Sequence, residues 1–136
     1  MNTIRILILE DDLETVSILI EKLNKLQDEL EGKDPASTFS VTVLAEYTQV
    51  EEYINNKKNI YDIVLLDRDC KAGGSFHVLD IETIGVDKII SISSTPPYNE
   101  ETKQRGVKRI VHKDFQNLDQ FSNKVISEIE EMIGSQ

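Results

Sequence analysis

The sequence predicts an α/β domain, a parallel sheet with helices on both faces. Three apolar runs, Ile6-Leu7-Ile8-Leu9, Ile63-Val64-Leu65-Leu66 and Ile89-Ile90-Ser91-Ile92, are unbroken rather than alternating, the pattern of strands buried on both faces. Between and after them lie segments with apolar residues at helical spacing, most clearly over residues 16–30 and 118–133. The alternation of the two element types gives the parallel sheet. At 136 residues the chain has the size of one ordinary domain, and residues 1–136 are read as a single domain.

The elements follow in order. The first strand, residues 6–9, stops at Glu10-Asp11-Asp12, and Val16, Leu19, Ile20, Leu23, Leu26 and Leu30 then mark a helix that Gly32-Lys33-Asp34-Pro35 ends. Residues 39–44 alternate apolar and hydroxyl side chains, a second and more exposed strand, followed by a short polar helix over 50–56. The third strand, 63–66, breaks at Asp67, and the loop beyond it holds the pair Gly73-Gly74. A short helix is expected within 76–84. The fourth strand, 89–92, ends in Ser93-Ser94-Thr95, where Pro96-Pro97 prevents its continuation. A polar helix over 99–105 stops at Gly106. The fifth strand, 108–112, carries charges as an edge strand does and delivers Lys113. Leu118, Phe121, Val125, Ile129, Met132 and Ile133 form the stripe of the last helix.

Composition narrows the function. No apolar run approaches the roughly 20 residues that span a bilayer, and the N-terminus lacks the features of a signal peptide, so a cytoplasmic location is expected. Cys70 is the only cysteine, which excludes an internal disulfide and any multi-cysteine zinc site, and its acidic surroundings disfavour a thiolate. His77 and His112 have no metal-ligating partners at useful spacing. With 15 Lys+Arg against 25 Asp+Glu, the net charge of −10 argues against nucleic-acid binding.

In such a sheet ligands bind beyond the carboxyl ends of the strands, where the strand order reverses. Glu10 and Asp11 end the first strand, Asp67 the third, Ser93 the fourth and Lys113 the fifth. An aspartate just past a strand is often only a turn or capping residue, and Glu10 and Asp11 alone could serve the helix dipole. Together they gain meaning. Three convergent carboxylates repel one another unless a cation neutralises them, and an all-oxygen site suits Mg²⁺. A lysine and a hydroxyl beside them suit a phosphoryl oxygen.

These residues, in this order and each at a strand end, resemble the receiver domains of two-component response regulators. The resemblance runs from Ile4 to Asp12, through Tyr61 to Asp67 and Ile89 to Ser94, to the stretch from Gly106 to Phe115. It implies a flavodoxin-like, doubly wound five-stranded sheet of order 2-1-3-4-5; because the last helix ends the chain, the domain is expected to stand alone without an output domain. It further implies that Asp67 accepts a phosphoryl group from a histidine kinase or phosphotransfer protein. Glu10, Asp11, Asp67 and the main-chain carbonyl of Asp69 would hold Mg²⁺, Asp11 directly and Glu10 through water. Ser93 matches the switch hydroxyl and Lys113 the lysine that pairs with the phosphoryl group. Such a domain is no turnover enzyme beyond self-phosphorylation and autodephosphorylation. Its downstream protein partner, or a second copy, would meet the last two helices and the fifth strand, with neither nucleic acid nor membrane involved.

The chain departs from the family pattern at three places. Asp114 stands where proline usually follows the lysine, Lys71 stands where proline is common four residues past the phosphorylated aspartate, and Ile110 replaces the aromatic residue three positions before the lysine. These motivate one alternative, a pseudo-receiver interaction module without phosphorylation. Leu65-Leu66-Asp67-Arg68-Asp69 also looks like the nucleophile motif of haloacid-dehalogenase-type phosphatases, but those carry it on their first strand and have a further acidic pair after the lysine.

Overall fold

The computed structural model describes residues 2–55, 60–68, 71 and 73–134. Its sheet is built from β1 (Asn2–Leu9), β2 (Ser37–Leu44), β3 (Ile63–Leu66), β4 (Ile89–Ser91) and β5 (Arg109–Ile110), all parallel, in the order β2-β1-β3-β4-β5. This is the flavodoxin-like order expected from the sequence. The chain leaves β1 toward β2 on one side and returns with β3 on the other, so the order reverses between β1 and β3.

Among the described residues the helices are α1 (Leu13–Glu31), α2 (Tyr47–Tyr53), α3 (Ile81–Ile84), α4 (Pro96–Gln104) and α5 (Leu118–Gly134). Side chains alternate across a strand, and β1 shows it cleanly. Ile4, Ile6 and Ile8 join Leu19, Leu23 and Leu26 of α1 and Phe121, Val125 and Ile129 of α5 in one core layer. Leu7 and Leu9 face the opposite way, toward Val50 of α2, Phe76, and Ile81 and Ile84 of α3. The unbroken apolar runs are therefore two half-patterns interleaved. None of the helices among the described residues is long and apolar enough to cross a membrane.

Boundaries shift where local chemistry outweighs periodicity. Asp12 caps α1, accepting from the Thr15 N–H at 3.0 Å, so the helix begins one turn before the apolar stripe; Leu13, 81% exposed, contributes nothing to that stripe. α2 starts at Tyr47 rather than residue 50 because the Gln49 side chain turns back to accept from the Glu46 N–H at 3.2 Å. The segment 76–84 divides into a 3-10 turn, Phe76–Val78, and the single turn of α3, which Asp80 starts through Thr83. Pro96 and Pro97 do more than end β4: they occupy the first positions of α4, where a missing N–H costs nothing, so that helix begins three residues early. β5 is shorter than expected, yet Val111 and Lys113 still donate backbone bonds to Ser91 and Ser93, at 2.9 and 3.1 Å. Those two bonds carry the chain to the site.

Candidate functional site

The carboxyl ends of β1, β3 and β4, with the segment after β5, open into a cavity of about 180 Å³ whose lining includes Glu10, Asp11, Asp12, Asp67, Lys71, Ser93, Ser94, Lys113 and Phe115. Backbone pairing puts them there: Glu10 donates to the Leu44 carbonyl at 3.3 Å, Asp67 to that of Leu9 at 3.1 Å, and Lys113 to that of Ser93 at 3.1 Å. Each residue is thus held at the main chain just past the ladder.

Lys113 organises the interior of this cavity. Its ammonium donates to Glu10 Oε1 and, at 3.0 Å, to Asp67 Oδ2. The other oxygen of Glu10 accepts from the backbone N–H groups of Asp11 and Asp12 at 3.0 and 3.3 Å. Asp67 Oδ1 accepts from the Arg68 N–H at 2.7 Å. Two buried carboxylates share one cation. Burial and the neighbouring Asp67 charge push the Glu10 carboxyl up to about 7, against the pull of Lys113. For Lys113, burial works against the charge, but attraction to Asp67 and Glu10 outweighs it and holds the ammonium above its ordinary value.

Asp11 sits at the rim, half-buried, where its carboxylate accepts from the Lys71 N–H. The Lys71 ammonium reaches Asp12 Oδ1 at 3.0 Å. Asp12 is the cap of α1, and its hydrogen bonds from Thr15 lower its pKa to about 2. Ser93 is buried, and its Oγ accepts from the Thr95 N–H at 3.1 Å. The Lys113–Asp114 peptide bond is trans, so the segment reaches Phe115 without the bend that proline allows. Phe115 is 55% exposed and lies under the ammonium of Lys113, 5.1 Å from ring centre to nitrogen.

The structure therefore brings Glu10, Asp11, Asp67, Ser93 and Lys113 into one cavity. Asp69 and Cys70 lie outside the described residues. Among the described residues no group of three or more His, Cys, Asp and Glu side chains is arranged to hold a metal ion. The reason is visible in the geometry: the Lys113 ammonium takes the inner faces of Glu10 and Asp67, and Asp11 is turned to Lys71. The donor chemistry itself, three carboxylates in one cavity, is that of a hard-cation site.

Residues that the sequence reading passed over complete the surroundings. Asn99 of α4 is buried; its Oδ1 accepts from Ser91 Oγ at 2.7 Å and the Ser93 N–H at 3.1 Å, and its Nδ2 donates to the Ser93 carbonyl at 2.9 Å. Arg68 lies over the Tyr98 ring, 3.9 Å from its centre. Asn99 has no signal in sequence, since a polar residue on a polar helix ordinarily faces water, and Arg68 stands in the polar loop after β3. Phe115 could have been noticed as a lone aromatic two residues past the lysine.

No protein-family model matches the sequence, and no curated protein does. Solved structures do match, and they are response-regulator receiver domains. The HemR receiver domain from Leptospira biflexa, non-phosphorylated, superposes with a TM-score of 0.64 at 20% identity, over 93% of this chain and 94% of that one. A receiver domain from Rhodospirillum rubrum gives 0.68 at 15% identity, over 94% of each chain. The response regulator TrrA from Thermotoga maritima, in complex with Mg²⁺ and BeF, gives 0.56 at 21% identity, over 92% of this chain and 98% of that one. At such identities the likeness is one of fold.

Proposed function

Starting from a receiver-domain fold, we propose that the chain is a phosphoacceptor switch of two-component signalling, with Asp67 as the residue phosphorylated. One observation carries the reading: Lys113 bridges Asp67 and Glu10 inside the cavity at the carboxyl ends of the strands. A buried aspartate with a lysine on one oxygen and open space in front of it is a nucleophile facing a place for a phosphoryl group.

In the transfer step a carboxylate oxygen of Asp67 bonds to phosphorus while the phosphorus–nitrogen bond to the donor's imidazole breaks. The imidazole keeps that electron pair and takes a proton from water. Lys113 stays beside the new acyl phosphate and offsets its charge, and Ser93, with its hydroxyl in the same cavity, gives the phosphoryl oxygens a donor. Glu10, Asp11, Asp67 and the main-chain carbonyl of Asp69 are the groups that would hold Mg²⁺, which when bound neutralises the phosphoryl oxygens. The donor is a histidine kinase or phosphotransfer protein in the cytoplasm. The readout is a protein partner or second copy on the face of α4, β5 and α5, where Pro96, Lys103, Ile110 and His112 line an open groove. Because Ile110 replaces a polar ring, that readout does not run through a rotating aromatic.

Incubation with Mg²⁺ and a small acyl phosphate, followed by intact mass, tests the reading. One phosphoryl group per chain is expected in the wild type and none in Asp67→Asn. Turnover of a phosphate ester would instead select a phosphatase, and an unlabelled wild type an interaction module.

A further inference from the structure

α4 is docked in an unusual way. Its buried residues are Asn99 and Thr102, both polar, so it contributes no buried apolar side chain to either core layer. Polar contacts fasten it instead. At its start Asn99 grips Ser91 and Ser93. Along its inner side Thr102 Oγ1 lies 3.1 Å from His77 Nε2, and Arg105, which caps the helix, donates to the carbonyls of His77 and Leu79 at 3.1 and 3.2 Å. The third fastening is Arg68. Its guanidinium covers the Tyr98 ring, and its Nε lies 3.5 Å from Glu101 Oε2, while the other oxygen of Glu101 is 3.5 Å from His77 Nδ1.

Arg68 is also the residue after Asp67, with its N–H on Asp67 Oδ1. We infer that Arg68 is the positioning residue through which a phosphoryl group on Asp67 acts on α4, leaving Tyr98 and Glu101 for the phosphoryl oxygens and so unfastening the helix. The inference rests on the reading of Asp67 as the phosphoacceptor and adds the route by which its charge is felt. The competition is unequal. Glu101 is 46% exposed, and an ion pair in such a setting is weakly held. A phosphoryl group brings up to two negative charges and three acceptor oxygens, which the planar fork of a guanidinium matches in pairs. With no buried apolar anchor, the helix would then be held only by the polar contacts of Asn99, Thr102 and Arg105. This route needs no aromatic residue at position 110.

Hydrogen exchange across α4, with and without Mg²⁺ and beryllium fluoride, tests it, with fluorine NMR reporting whether the phosphoryl stand-in has bound. In the wild type, binding should speed α4 exchange by roughly fivefold or more, the lower end of ordinary coupling between sites. In Arg68→Gln, exchange should already be fast and binding should add little. Glu101→Gln removes the partner without touching the site, so it should also raise exchange in the unliganded protein. Arg68→Lys keeps the charge but loses the fork and should restore the response only in part. Bound fluoride with a wild-type response in Arg68→Gln, or unchanged unliganded exchange in both Arg68→Gln and Glu101→Gln, would overturn the inference. Absence of bound fluoride in the wild type is the distinct failure of the phosphoacceptor reading itself, and takes the inference with it.

Discussion

Lys113 and Glu10 form an ion pair with both side chains out of water, 2% and 0% exposed, although 103 positions separate them in the chain. A pair so placed is costly to break from one side, because the partner left behind keeps its charge in a poorly solvated place. Asp67 raises the cost, since it draws on the same ammonium.

Lys113→Ala should therefore lower the unfolding free energy by about 3 kcal/mol or more at pH 8, where Glu10 is ionised. Pairing it with Glu10→Gln should recover much of the loss. Urea unfolding of the two variants measures both, and a loss below about 1 kcal/mol in the single variant would show that water reaches the pair.

Magnesium should stabilise the wild type in a thermal melt, because an ion bound to the folded state alone shifts the equilibrium by mass action. Asp11→Asn should abolish most of that shift. It should also leave the metal-free protein no less stable, since it removes a like charge beside Glu10 and Asp67. Equal magnesium shifts in both proteins would remove Asp11 from the ligand set.

His77 makes stability depend on pH. Burial is the main cause that lowers its pKa, with Arg105 and Arg68 adding to it and Glu101 opposing it. The unfolded chain thus takes up a proton near the ordinary value of 6.5 while the folded protein still resists one, so stability is complete above that pH and falls as pH drops below it. Between pH 7.5 and 5.5 the wild type should lose more stability than His77→Gln, which cannot take the proton. Parallel urea midpoints for the two proteins would refute the assignment.

Gly74 has φ +85, and a Cβ there would run into the ring of Tyr47. Gly74→Ala should cost about 1–3 kcal/mol from backbone strain and crowding together. Gly73, at φ +98 with nothing near its missing Cβ, should cost less on the same change. Thermal melts of the two variants separate them.

Much of this was legible in the sequence, for a physical reason. Strands buried on both faces write themselves as apolar runs, and the residues that stop them, Glu10, Asp67, Ser93 and Lys113, mark the carboxyl edge of the sheet. The sheet order and the gathering of those residues in one cavity agree with that reading. What stayed hidden is polar and tertiary. Nothing in the local pattern around Asn99 or Thr102 says that these side chains face inward, because a helix docked by hydrogen bonds leaves no apolar stripe. Nor does the sequence show that the ammonium of Lys113 would occupy the space between two carboxylates that the metal was expected to share.

The separation of Glu10 from Lys113 along the chain also ties two distant strand pairings to each other. Glu10 and Asp67 come together as soon as β1 pairs with β3, but their counter-ion arrives only when β5 has closed on β4, through a ladder two residues long and the bonds from Val111 and Lys113. Without those bonds the paired first strands would hold two facing carboxylates with no counter-ion, and the pairing that supplies it, Ile90 with Arg109, closes a shorter stretch of chain than the pairing of Ile6 with Ile63 that brings the carboxylates together. The charge arrangement thus favours the finished sheet over its partly built precursors, and it makes the fold cooperative across the whole length of the chain.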